Sequence, residues 1–340
     1  MLSDRKKKIL CAVVDDYIEK ATPVSSKDIQ EAYLPDCSSA TIRNELSALE
    51  SMGYLIQPHV SAGRVPSEKA FRFYVNQLAT AEPLSPYEVD MIEAYFSQKN
   101  GALEDLVTAV THVISEVTNY TSVMVKSDMS DSIVAIRLVD LMNGKMLAVI
   151  VTDSRVLKDG MVDISDEFTP EIIAEAERWL NKLFVGKHVS EFVNFNYPYA
   201  LVNEQFQQFN ALFKKIIDVL KKVSLENGMD VETYGENKIF QHSEYNDVQN
   251  AERFLLQMER KQQIANLFTD DSGADGAVTV KIGSEDHAPE GCSVVSTRVN
   301  LGDNVSGSIG VIGPVRMNYK KVLRVLDKIS NLIVDMVGKK

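Results

Sequence analysis

The stretch from residue 38 to residue 78 constrains the fold of this chain most, because helical spacing changes within it to strand-like spacing. Ile42, Leu46 and Leu49 fall at i, i+4 and i+7, which predicts a short helix with one apolar face. Met52-Gly53 ends that helix, and a strand, a turn and a second strand follow it, at residues 54–56, 61–63 and 64–65. This order is typical of a recognition helix followed by a wing.

The other face of the predicted recognition helix carries hydrogen-bonding side chains. Thr41, Arg43 and Asn44 point away from the apolar stripe. A hydroxyl, a guanidinium and an amide can reach base edges and phosphates, and we expect Arg43 and Asn44 to read bases. Ser38 or Ser39 can cap the helix, because a serine oxygen accepts a free N–H of the first turn.

Two more helices are predicted before the recognition helix. The first runs from Asp4 to Lys20, with the lysines 6–8 on or near its outer face, where they either touch phosphate or are simply solvated. The second begins at a weak capping box, Ser25–Asp28, and runs to about Tyr33. Three short helices in this arrangement predict a helix-turn-helix.

Gly63 and Arg64 are the residues of the predicted wing that the sequence singles out. Gly63 stands where a turn needs freedom in φ. Arg64 follows at the edge of the turn, where it would enter the minor groove or hold a phosphate. The alternative for Arg64 is a salt bridge to the body of the protein.

Charge is distributed unevenly along the chain, whose formal net charge is −12. Of the 36 basic and 48 acidic residues, ten of each stand in the first 79 positions, so the remainder holds the whole negative balance. An acidic body would repel DNA and leave DNA binding to the N-terminal segment. Acidic bodies are also common in soluble proteins generally, so this interpretation is not the only one.

Several classes of protein are disfavoured by the sequence. No apolar run reaches the roughly 18 residues of a membrane span and no secretory segment is recognisable, so we expect a cytoplasmic protein with no membrane association. The three cysteines are scattered, and no two histidines have metal-ligand spacing. The residues before Gly186-Lys187 do not fit a phosphate loop, and no nucleophile elbow occurs. We therefore predict no enzymatic activity, no cofactor and no metal.

The chain of 340 residues is too long for one simple core, so two or three domains are expected. Beyond a linker at residues 80–86, helices alternate with antiparallel strands, the pattern of an α+β sensor-type domain. A helix-rich stretch at residues 165–225 interrupts it. A long amphipathic helix there offers more apolar side chain than one helix needs, which predicts a dimer contact, with an ordinary core as the alternative. The predicted contact residues are Phe206, Phe209, Phe213, Ile217 and Leu220.

Three motifs near the N-terminus are specific in combination: Pro23-Val24-Ser25-Ser26-Lys27, Ser38-Ser39-Ala40-Thr41-Ile42-Arg43-Asn44-Glu45 and His59-Val60-Ser61-Ala62-Gly63-Arg64-Val65-Pro66-Ser67. Together they resemble the HrcA family of heat-inducible bacterial transcription repressors. The similarity extends weakly to the C-terminal part through residues 307–317 and Tyr319. Residues 165–225 match only in pattern.

The resemblance implies an α+β fold with three domains. A winged helix-turn-helix DNA-binding domain would occupy residues 1–79 and a linker residues 80–86. A GAF-like α/β domain would follow at residues 87–164 and 226–340, and an inserted, helix-rich dimerising domain would occupy residues 165–225. On the family's motifs, the expected DNA contacts are Ser25, Ser26, Lys27, Ser38, Ser39, Thr41, Arg43, Asn44, His59, Ser61, Gly63 and Arg64.

The resemblance also implies a function. A homodimer would bind an inverted-repeat operator of the CIRCE type in double-stranded DNA, upstream of chaperone genes in operons of the groE and dnaK type, and block transcription. The GroE chaperonin would maintain its activity, which would be lost on heat stress. The alternative is a ligand-sensing transcription regulator with a small molecule bound in the GAF-like domain.

Overall fold

The computed structural model describes most of the chain. The described residues are 2–77, 83–97, 103–128, 131–141, 144–153, 160–164, 168–193, 195, 207–227, 229–269, 276–283, 288–302 and 305–337. They form two compact units. The first comprises residues 1–124, 232–299 and 308–340, and the second comprises residues 125–231 and 300–307.

Both units contain helices and strands. The α-helices are α1 (Asp4–Lys20), α2 (Ser26–Ala32), α3 (Ser39–Ser51), α4 (Glu68–Gln77), α5 (Pro86–Ser97), α6 (Leu103–Thr118), α7 (Pro170–Phe184), α8 (Val189–Val193), α9 (Gln207–Asn227), α10 (Val248–Glu259), α11 (Lys261–Thr269) and α12 (Tyr319–Val337). The strands are β1 (Leu55–Ile56), β2 (Val65–Pro66), β3 (Thr121–Asp128), β4 (Ile133–Asp140), β5 (Lys145–Thr152), β6 (Gly160–Asp163), β7 (Met229–Tyr234), β8 (Val278–Ile282), β9 (Cys292–Gly302) and β10 (Val305–Pro314).

The first four helices and the first two strands confirm the predicted winged helix. Each of the first three helices begins where a serine caps it, because Ser3, Ser25 and Ser38 accept hydrogen bonds from backbone N–H groups of the first turn. The predicted apolar stripe of α3 is buried, together with the inner faces of α1 and α4. Strands β1 and β2 pair antiparallel and form the wing.

After the winged helix, the first unit continues with helices and a five-stranded sheet, which agrees with the predicted fold class. The five-stranded sheet has the order β7-β3-β10-β9-β8. Two short 3-10 helices, Glu236–Gln241 and Ser243–Tyr245, join β7 to α10. We call the part of this unit that follows α4 the body. None of the described helices combines the length and the hydropathy that a membrane crossing requires.

The second unit has a sheet of its own. Strands β4, β5 and β6 pair antiparallel in that order, and one face of the sheet packs against α7 and α9. The sequence assigned residues 133–163 to the GAF-like domain, whereas here they share one hydrophobic core with the helices of residues 165–225. The difference arises because strand spacing identifies a strand but not the sheet to which it belongs.

The structure corrects the predicted dimer contact on α9. Phe213, Ile217 and Leu220 are at most 1% exposed and belong to the core between α9 and the three-stranded sheet. Side chains that are already buried within one chain have no surface left for a partner. Phe206 and the side chain of Phe209 lie outside what the structure describes.

Candidate nucleic-acid interface

The recognition helix α3 shows two contrasting faces. Ile42, Leu46 and Leu49 are buried, and Arg43 and Asn44 are exposed on the opposite side near the start of the helix. Side chains at the start of a recognition helix are the ones that reach base edges in the major groove. The two residues predicted to read bases are therefore exposed near the start of α3, and base reading by them stays a prediction.

The serines of the predicted interface bond within the protein. Ser25 closes a capping box with Asp28, and the hydrogen bonds from Ser25 hold the pKa of the Asp28 carboxyl below its usual value. The hydroxyls of Ser26 and Ser39 lie 3.0 Å apart and join the starts of α2 and α3. Ser38 accepts a bond from the backbone N–H of Thr41. These hydroxyls fix the turn between the helices, and their DNA contacts stay a prediction.

Lysines near the start of α1 were considered as phosphate contacts, and the structure gives Lys6 another role. Its ammonium lies 2.7 Å from the carboxylate of Glu45 on α3. Arg5 lies 3.9 Å from the same carboxylate. Glu45 is thereby turned toward α1, so its negative charge is kept away from the face that carries Arg43. Lys8 is exposed to solvent.

Arg64 joins the wing to the recognition helix. Its Nε donates to Glu50 in the last turn of α3 at 2.8 Å, and its side chain is only 15% exposed. Its backbone pairs with Val24 through two hydrogen bonds of 2.8 Å, which adds a third segment to the wing. The structure thus pairs Arg64 with a residue inside the winged helix, whereas the alternative from the sequence was a salt bridge to the body. A contact of Arg64 with the minor groove or a phosphate stays a prediction.

Gly63 is required for a different reason from the one the sequence suggested. Its φ lies outside the left-handed region, so freedom in φ is not what selects glycine here. A Cβ at this position would stand 2.5 Å from the carbonyl carbon of Val24 and 2.7 Å from the carbonyl oxygen of Pro23. The wing strand therefore passes too close to residues 23–24 for any side chain.

Replacing Gly63 by alanine should destabilise the winged helix by about 1–3 kcal/mol, because the new methyl group forces apart the backbone pair of Val24 and Arg64. Urea denaturation and operator binding would measure the effect. The matched control is Ser61→Ala on the exposed part of the same loop, which should leave stability unchanged. Unaltered stability of Gly63→Ala would mean that the wing backbone moves aside without cost.

The loop at the tip of the wing is held by a residue that the sequence did not single out. The side-chain amide of Gln57 donates to the carbonyls of Val60 and Ala62 at 3.0 Å each. His59 and Ser61, both predicted DNA contacts, are exposed on this loop. No local signal in the sequence identifies Gln57, because its partners are backbone carbonyls.

Lys27, another predicted DNA contact, is exposed on α2, with its ammonium 3.7 Å from Glu31.

Three helices, a short wing and an exposed Arg43–Asn44 face define a winged-helix DNA-binding domain. Comparison with known families agrees with this class. Residues 1–79 match the family described as "Winged helix-turn-helix transcription repressor, HrcA DNA-binding", and residues 104–323 match "HrcA protein C terminal domain". The chain belongs to the HrcA family.

Curated relatives cover nearly the whole chain. A protein of Ruminiclostridium cellulolyticum named "Heat-inducible transcription repressor HrcA" is 34% identical over 98% of this chain and 97% of its own length. A protein of the same name from Acetivibrio thermocellus is 33% identical over 99% of this chain and 98% of its own length. Among solved structures, a crystal structure of a hypothetical protein has a TM-score of 0.59 and 23% identity, covering 100% of this chain and 99% of that one, and it shares the fold.

Proposed function

We propose that this protein is a heat-inducible transcription repressor whose homodimer binds an inverted-repeat operator of the CIRCE type upstream of chaperone genes. The observation that carries the proposal is the exposed pair Arg43 and Asn44 on a recognition helix whose other face is buried. The membership in the HrcA family and the names of the relatives support the regulatory role. Bound in front of a promoter, the dimer blocks transcription.

In the proposed complex, α3 lies in the major groove. Arg43 donates to the O6 and N7 acceptors of a guanine, and Asn44 pairs with the N6 and N7 edge of an adenine. The wing, held to α3 by Arg64 and Glu50, follows the neighbouring backbone, with His59 and Ser61 at its tip. The winged helix has no net charge, so base contacts carry a larger share of the binding than in a strongly basic domain.

The dimer contact is proposed on the outer face of the three-stranded sheet instead of on α9. Val139 lies opposite Leu147, and Leu147 lies opposite Met161, so the three side chains form one row across the sheet. Val139 and Met161 are about half exposed, and Leu147 is partly buried. An apolar row on the uncovered face of a sheet fits the same row of a second copy, because a twofold interface uses one patch twice.

Loss of repression on heating is proposed to follow from loss of folded protein. A folded domain keeps only about 5–15 kcal/mol of stability, so a modest rise in temperature depletes it when the margin is small. A chaperonin of the GroE type would return unfolded chains to the folded state under normal conditions. During heat stress other unfolded proteins would occupy the chaperonin, and the amount of active repressor would fall.

A gel shift on a chaperone-gene promoter fragment tests this control. Purified repressor is assayed before and after a heat step, with and without chaperonin and ATP. Operator occupancy should fall after heating and rise again with chaperonin, and the rise should vanish when an unfolded client protein competes. Full binding after heating, unchanged by chaperonin, would contradict control by folding.

The second candidate is a ligand-sensing regulator, and one cavity of the body favours it. The cavity has a volume of about 200 Å³ and is lined by the buried residues Tyr245 and Cys292 and by Arg253. Pockets for small ligands usually measure about 300–1,000 Å³, so this cavity fits only a ligand smaller than usual. A thermal shift with candidate metabolites separates the two functions, since a ligand that binds the folded state raises the melting temperature.

A further inference from the structure

The body of the first unit holds helix α1 of the winged helix at two points. Lys320, in the first turn of α12, lies with its Nζ 2.9 Å from the carboxylate of Asp15. Arg316, just before α12, donates from Nη1 to the carbonyl of Ile18 at 3.2 Å. We call Arg316 and Lys320 the α1 clamp. Each clamp residue comes from the body, and each partner comes from the DNA-binding domain.

Both contacts stabilise the groups that accept them. Ile18 is near the C-terminus of α1, where helix carbonyls lack an intrahelical donor and the helix dipole favours a cation. Arg316 supplies a hydrogen-bond donor and a positive charge. Glu244 of the body accepts from its Nε and holds the guanidinium in place. Asp15 accepts from Lys320 and also from the hydroxyl of Tyr74 on α4, so one carboxylate joins α1, α4 and the body.

Apolar packing beside the clamp extends the same attachment. The rings of Phe71 on α4 and Tyr319 on α12 lie 6.2 Å apart, and both side chains are buried. Arg72 of α4 donates to the carbonyl of Ile282 at the end of β8, at 3.3 Å. Two helices of the winged helix are therefore packed on the body, and the domain is not merely tethered to it.

A continuous set of contacts leads from the clamp to the recognition helix. Helix α1 packs against α3, and the ion pair between Lys6 and Glu45 joins the two helices near the DNA-binding face. Any movement of α1 against the body therefore moves α3 with it. The orientation of Arg43 relative to the body is set by this chain of contacts.

We propose that Arg316 and Lys320 are positioning residues that fix the recognition helix to the body and so make the repressor specific for one spacing of operator half-sites. The inference rests on the proposed function, because spacing matters only for a dimer on an inverted repeat. With both winged helices held to their bodies, neither recognition helix can swing within the first unit to reach a half-site at another spacing. Inserting about 5 bp between the half-sites rotates one of them by half a turn and prevents simultaneous contact.

The variants remove the clamp and leave the DNA-binding face intact. The double variant Arg316→Met/Lys320→Met loses both contacts, and the single variant Lys320→Met serves if the double variant fails to fold. Lys320→Arg keeps the charge and should behave like the unaltered protein. The matched control is Lys321→Met, because Lys321 is exposed to a similar extent (33% against 29%) and pairs at 2.6 Å with Glu88, which belongs to the body.

The first measurement needs no DNA. Two dyes, attached through non-canonical amino acids in place of Val60 on the wing and Asn237 in the body, report the distance between the two parts by energy transfer; both positions are exposed. The distribution of distances should be narrow in the unaltered protein and in Lys321→Met, and broad in the clamp variants. A distribution that stays narrow without the clamp would overturn the proposal.

The second measurement compares operators whose half-sites are separated by the natural spacer or by about 5 bp more. The unaltered protein and Lys321→Met should lose about 100-fold in affinity on the longer spacer, and the clamp variants less than about threefold, with binding to an isolated half-site unchanged. Clamp variants with the unaltered spacing preference would contradict the proposal. Failure of the unaltered protein to bind any inverted repeat would contradict the proposed function, and the dye distances would still decide on the clamp.

Discussion

Replacing Val139 by aspartate is expected to make the protein monomeric and to lower its affinity for the full inverted repeat by about 100-fold or more, because two linked half-site contacts become independent. Val139 stands in the apolar row with Leu147 and Met161 on the outer sheet face. A carboxylate there would be buried opposite its own copy without a partner, which costs several kcal/mol. Sedimentation velocity would measure the oligomeric state, and titration would measure operator affinity.

Val185→Asp is the matched control for this prediction. Val185 follows α7 and is 47% exposed, the same fraction as Val139, but it lies outside the row. The control variant should remain dimeric and should bind the full operator normally. Affinity of Val139→Asp for an isolated half-site should also be unchanged, since its winged helix is intact. A stable dimer of Val139→Asp would place the dimer contact elsewhere.

Much of the winged helix was predictable, because its signals are local. The spacing of Ile42, Leu46 and Leu49 identified the buried face of α3, and the serine caps fixed the starts of α2 and α3. A capping oxygen and the backbone N–H group that donates to it lie within four residues of each other. Arg43 and Asn44 followed from the same periodicity, since a residue off the buried stripe must face outward.

The remaining features depend on contacts between distant residues, which local patterns do not contain. Gly63 is selected by the approach of Val24, and Arg64 by Glu50, although neither partner is a sequence neighbour. The apolar stripe of α9 was recognised correctly as apolar, but periodicity cannot tell whether a sheet of the same chain or a second copy covers such a stripe. Strands β5 and β6 cover it here.

Replacing Arg43 by alanine is expected to cost about 1–3 kcal/mol on the operator and to relax discrimination at one base pair. The reason is that the other arginines of the winged helix have partners within the protein. Arg64 is paired with Glu50, Arg5 lies beside Glu45, and Arg72 donates to the carbonyl of Ile282. Arg43, in contrast, is exposed near the start of α3. An exposed guanidinium in that place can form the bidentate contact with guanine that discriminates bases.

Titrations on operator DNA and on random DNA at one fixed salt concentration test this assignment. Arg43→Ala should weaken operator binding and leave random binding nearly unchanged. The matched control is Lys27→Ala, because Lys27 is an exposed cation on the neighbouring helix α2. A phosphate contact is lost equally on every sequence. Lys27→Ala should therefore weaken binding to both DNAs alike and reduce the salt dependence of binding by about one counterion. Equal losses for Arg43→Ala on both DNAs would show that Arg43 holds a phosphate, and base reading would then pass to Asn44.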